Sequence, residues 1–130
     1  MPKPFSTTPN GFQLAFPNGL TISVQWGYAN YCTNRKNLSI NNTFNADFID
    51  SYTAEIAIWP TEYRGRLTNT WHIFNDGDGE TVLGWQDLDS VMNWMNDVRG
   101  WPEYKYPLEC LDLIDPFGNH NKELEVSNYV

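Results

Sequence analysis

Tyr28, Asn30, Tyr31, Asn34 and Arg35 fall within eight consecutive residues of a 130-residue chain and form its densest group of contact-making side chains. Aromatic faces stack on planar rings, amides read the polar edge of a base, and a guanidinium grips phosphate with a two-pronged fork. The mixture suits a small polar aromatic ligand. The same residues fit an ordinary Gly- and Asn-bearing loop, with Tyr31 and Cys32 in the core and Arg35 in water. On composition alone that loop is the simpler account.

The chain has only three other arginines, Arg64, Arg66 and Arg99, so a bound phosphate requires some of them to converge with Arg35. Arg64 and Arg66 flank Gly65 in a turn, where a solvated pair is the ordinary outcome and an anion clamp the rarer one. Asn93, Asn96 and Arg99 share the polar side of a helical stretch, beside a Trp94 that also fits the apolar stripe of that helix.

Catalytic chemistry has little to draw on. The two histidines are His72, in the middle of a strand-like run, and His120, in a polar tail, which supports neither a histidine-based triad nor a zinc site of conventional spacing. Asp76, Asp78 and Glu80 fall short of the calcium-loop pattern, and a β-turn built from Asp and Gly accounts for them with less. No glycine-rich phosphate loop is present. Any nucleotide pocket must therefore be built from side chains.

The elements that position these groups are legible from periodicity. Leu20, Ile22, Val24 and Trp26 alternate with Thr21, Ser23 and Gln25, which predicts a strand entered through the Asn18-Gly19 turn. Phe12, Leu14 and Phe16 predict its hairpin partner. Further strands are expected over Tyr52 to Trp59, closed by Pro60, over Thr68 to Phe74, and over Thr81 to Trp85 after an acidic turn from Asn75 to Glu80. Lys36 to Asp50, rich in Asn, reads as a loop.

Leu88, Val91, Met92, Met95 and Val98 recur at helical spacing, with Asp87 as N-cap and Gly100 as the residue past the end. Leu108 to Ile114 can form a second short helix or a strand. The expected architecture is α+β: an antiparallel sheet of five or six short strands with one main amphipathic helix, Leu88 to Arg99, in a single domain spanning residues 1–130. Residues 1–11, with three prolines, are expected to form a flexible arm, and residues 118–130 a weakly ordered tail. An uncovered sheet face bearing Trp and Tyr would make a natural subunit interface.

Eight Lys and Arg against sixteen Asp and Glu give a formal net charge of −8, which argues against binding to duplex DNA or to an anionic membrane. No apolar run has the length of a membrane span, and the N-terminus lacks the apolar core of a signal peptide, so a cytoplasmic location is expected. Cys32 and Cys110 have no clustering partners and read as buried, reduced thiols.

Phe16, Asn18, Gly19, Thr21, Ser23 to Gln25, Gly27, Asn30 to Cys32, Asn34 and Arg35 form an ordered pattern that resembles a small phage and prophage family. Ala54 to Trp59, AEIAIW, resembles a strand of that family, and Gly84-Trp85-Gln86 followed by a helix resembles its closing segment. The family includes the Thoeris anti-defence protein 1 type of phage sponge, which binds cyclic ADP-ribose signals without cleaving them. The resemblance spans roughly Phe16 to Arg99 and departs from the family in the N-terminal lead, the loop from Lys36 to Thr53 and the tail after Gly100.

What the resemblance implies is a non-enzymatic protein of the infected bacterial cytoplasm that sequesters a nucleotide signal between protomers of a homo-oligomer, with no cofactor or metal. The expected contact set is Asn30, Tyr31, Asn34, Arg35, Trp59, Arg64, Arg66, Asn93 and Arg99. The alternative from charge is an acidic inhibitor that imitates nucleic acid toward a host nuclease or CRISPR effector. It would use Asp76, Asp78, Glu80, Asp87, Asp89, Asp97, Glu109, Asp112 and Asp115. An enzyme cleaving a cyclic nucleotide ranks last, because no base or metal set supports it.

Overall fold

The computed structural model describes residues 3–37, 50–63, 82–107 and 114–118. Five strands, β1 (Phe5–Thr8), β2 (Gly11–Ala15), β3 (Leu20–Gln25), β4 (Ala54–Pro60) and β5 (Val82–Gln86), pair antiparallel in chain order, followed by one helix, α1 (Leu88–Arg99). The fold is α+β. The strand expected at Thr68 to Phe74, the Asn75 to Glu80 turn, most of the Lys36 to Asp50 loop, most of the Leu108 to Ile114 segment and the tail beyond Gly118 lie outside the described residues.

Alternation sets the register. Phe12 faces Val24 and Leu14 faces Ile22 across β2 and β3, and Ile22 faces Ile58 and Val24 faces Ile56 across β3 and β4. These residues form one apolar face, on which Val91 and Val98 of α1 pack together with the partly buried Trp94 and Met95. Trp94 is thus part of the core stripe. A slip of one residue would turn the apolar row away from α1, so burial and register enforce each other.

The turn between β2 and β3 also fastens the helix. Gly19 returns its N–H to Phe16 O (3.1 Å) at φ +84, a conformation that residues with a Cβ avoid. Asn18 Nδ2 donates to Val98 O (2.8 Å) in the last turn of α1 and to Trp101 O (3.1 Å) just beyond it, which ties the turn to the helix end. At its other end Asp87 accepts from Ser90 N (2.9 Å), as expected of an N-cap.

Three features differ from the sequence reading. Residues 5–8 of the expected flexible arm form β1, the edge strand, whose backbone pairs Phe5 with Leu14 through Thr8 with Gly11. Pro4 and Pro9 bracket it, and an edge tolerates their missing donors because one side of the strand is unpaired in any case. Gly100 does close α1, but at φ −88, with its N–H shared between Asn96 O and Asp97 O, so the helix ends by tightening rather than by a left-handed residue.

The third difference concerns the sheet face turned away from α1. Thr21, Ser23, Ala57 and Trp59 all lie on it, and all are buried within a single chain. Trp59 keeps only 5% of its surface exposed, so it is not the bare aromatic of an open interface.

Candidate functional site

The chain leaves β3 at Gln25 and immediately folds back on the end of the sheet. Asn30 Oδ1 accepts from Gly27 N (2.8 Å), Cys32 N donates to Asn30 O (2.9 Å), and the buried Cys32 thiol donates to Gly27 O (3.3 Å). Glu55 of β4 fixes the loop from the neighbouring strand. Its Oε1 accepts from Asn30 Nδ2 (3.2 Å) and its Oε2 from Tyr31 N (2.7 Å). A carboxylate acceptor thus holds both a side-chain and a main-chain donor of the loop.

With the loop held in this way, Tyr31 and Arg35 project together. The Arg35 guanidinium carbon lies 4.4 Å from the centre of the Tyr31 ring, and Nη1 donates to Ala29 O (3.0 Å). Tyr31 also meets Trp85, with ring centres 5.7 Å apart and planes tilted by 44°. Tyr31 is 41% exposed and Trp85 50%, so the three groups form a continuous platform open to solvent. A cation and two exposed aromatic rings adjoining at the surface can stack a planar base and attract an anion attached to it.

Trp85 reaches this position through a backbone irregularity. Ala54 pairs with Gln86 and Ile56 with Leu83, so two steps along β4 oppose three steps along β5, and β5 carries one extra residue there. The bulge contains Gly84 and Trp85. Trp85 stands at φ 53, the left-handed region that costs a bulky residue about 1–2 kcal/mol, and its N–H donates to Tyr31 O (2.8 Å). Gly84 permits the approach, since a Cβ there would lie 2.6 Å from Tyr31 Cβ. Such strain persists only where the surroundings hold it, and it concentrates at functional sites.

The expected contact residues divide clearly. Tyr31 and Arg35 belong to the platform, and Asn30 supports it from beneath through Glu55. Asn34 is buried, and both hydrogens of its amide nitrogen are committed, to Trp26 O (2.7 Å) and Asp50 O (2.9 Å). It builds the loop rather than reading a ligand. Trp59 pairs with Thr21 near the far end of β3 and is buried there. Arg99, bonded to Asn96 Oδ1 (3.0 Å), ends the helix that Asn18 anchors, at the opposite end of a strand about 17 Å long from the platform. Asn93 is exposed on α1, and Arg64 and Arg66 lie outside the described residues. Arg35 is therefore the one expected arginine that the described structure places at the site.

Trp85 and Glu55 were not among the expected contacts. Glu55 had a faint signal, a carboxylate in the polar phase of an otherwise apolar strand. The aim of Trp85 had none, because it arises from a bulge. Beside the platform, the turn Thr33–Asn37 borders a polar cleft of about 380 Å³ lined by Thr33, Asn34, Asp50, Ser51 and Tyr52. That volume lies within the range of small-molecule sites. Among the described residues no group of three or more His, Cys, Asp and Glu could hold a metal ion, and no helix is long and apolar enough to cross a membrane.

These features define a small α+β protein with a strained, solvent-facing aromatic and guanidinium platform at one end of its sheet. Comparisons with protein-family models, curated proteins and solved structures gave no match.

Proposed function

We propose that the chain binds and sequesters a cyclic nucleotide signal, of the cyclic ADP-ribose type or a related cyclic nucleotide, as a non-enzymatic phage anti-defence protein. The observation that carries the reading is the Arg35, Tyr31 and Trp85 platform, which stays exposed at the expense of backbone strain. It offers stacking and one cation but no nucleophile and base in contact, so a ligand would be held and released unchanged. The resemblance across Phe16 to Arg99 points to the same class of ligand.

Mixing the protein with a panel of cyclic and linear nucleotides, followed by heat release and mass spectrometry, tests this directly. Recovery of an intact cyclic nucleotide is the expected result. A cleaved product, or no retained nucleotide at any concentration, would refute it. The acidic-mimic reading draws five of its nine carboxylates, Asp76, Asp78, Glu80, Glu109 and Asp112, from outside the described residues.

Arg35→Ala is expected to weaken binding about tenfold, the lower end for a charge-assisted contact at an exposed position. Arg35→Lys should recover only part of the loss, because an ammonium keeps the charge but not the planar face that lies over Tyr31. Calorimetric titration with the retained nucleotide reads both, and equal affinity of all three proteins would remove Arg35 from the site.

We further infer that the protein works as a homo-oligomer, since a single platform covers only one side of a flat ligand. Light scattering is expected to give a mass at least twice that of one chain. A monomer mass over a wide concentration range would count against it.

A further inference from the structure

A second concave surface lies on the side of the molecule where α1 meets the segment leading into β4. It encloses about 470 Å³ and is floored by Trp26, Val91 and Met95, with Tyr52, Leu88 and Met92 at its rim. Tyr52 is 89% exposed, Leu88 71% and Met92 57%. The helical rim and floor residues Leu88, Met92 and Met95 recur at i, i+4 and i+7, a stripe along one side of α1 that continues into solvent beyond what the sheet covers. Contiguous exposed apolar surface of this kind marks an interaction site, and flexible methionine side chains adapt to a partner's shape.

Charge narrows the partner. Asp50 lines the groove, Asp87 and Asp89 stand exposed on either side of Leu88, and none of the described lining residues is basic. A second copy of the chain presenting this same surface would bring the same carboxylates against them. A segment with apolar anchors flanked by Lys or Arg meets no such repulsion. An apolar stripe about 10 Å long on a helix accepts anchors at the same spacing from a second helix laid beside it. We propose that this groove docks a basic amphipathic helix of a partner protein, independently of the nucleotide platform.

The test uses the intact chain and a fluorescent model peptide of about 14 residues, made only of Leu and Lys with leucines on one helical side. A scrambled peptide of the same composition and a version with Glu for Lys are the controls. The amphipathic Lys peptide is expected to bind at least about tenfold more tightly than either control. Met92→Lys should weaken it by a similar factor, Met92→Ala by less, and Trp85→Ala not at all. Melting temperatures should hold, because Met92 is largely exposed. Equal binding of the scrambled peptide would show general attraction to an acidic surface and overturn the proposal. So would unchanged binding by Met92→Lys, or a parent dimer that Met92→Lys dissociates, which would assign the groove to a second copy.

Discussion

Trp85→Ala is expected to weaken nucleotide binding by roughly ten- to a hundredfold, the range that loss of one base-stacking aromatic produces. The indole is half exposed, so its removal leaves no cavity, and the fold should survive. The accompanying stability pattern makes the prediction specific. In an ordinary strand glycine is less stable than alanine by about 0.5–1 kcal/mol. At Trp85, with φ 53, the order should reverse, and Trp85→Gly should be more stable than Trp85→Ala by about 1 kcal/mol, while both lose the ligand equally. Chemical denaturation and calorimetry on the two variants read the two quantities separately. The usual order, with alanine the more stable, would mean that the left-handed backbone at Trp85 is not retained in solution. Parent-like affinity in both variants would take the indole out of the site.

Asn34→Ala is expected to act the other way, on the fold first. Its amide nitrogen is the partner of two carbonyls, Trp26 O and Asp50 O, which come from opposite flanks of the loop. A fully buried acceptor left unsatisfied costs about 1–3 kcal/mol, and with two part-buried acceptors affected the loss should reach about 2–3 kcal/mol. That is a large share of the 5–15 kcal/mol typical of a domain's total stability. Asn34→Asp should be as damaging or worse, since it turns a carboxylate toward two carbonyl oxygens. The affinity of whatever remains folded should stay close to that of the parent. If Asn34→Ala melts like the parent but fails to bind, then the amide contacts the ligand and the structural role assigned to it is mistaken.

Asn34 and Trp85 together show where reading the chain succeeds and fails. Residue type drew attention to the stretch from Asn30 to Arg35, because so many contact-making groups lie close together there. Type does not say which way an amide points. An Asn that satisfies two main-chain carbonyls and an Asn that reads a base look identical in a sequence, and only burial separates them. Trp59 misleads for a related reason. Alternation places it in the phase of Glu55 and Ala57, away from α1, and only the packed chain shows that this side is closed over at Thr21 and Trp59.

The local elements were determined by the sequence alone. Period-two alternation specified β3 and its hairpin partner β2, period 3.6 with an Asp N-cap specified α1, and the two together required an α+β fold. Each of these signals lies within a few residues of the chain, so one stretch is enough to express it. The platform depends on relations between distant stretches. Glu55 must stand beside the loop that contains Asn30, and β5 must pair with β4 one residue out of step, before Gly84 can approach Tyr31 and Trp85 can swing outward. A bulge is a mismatch between two strands and therefore a property of neither sequence by itself. Tertiary pairing alone decided that Arg35, Tyr31 and Trp85 would meet, and that Arg99 would lie at the other end of the sheet.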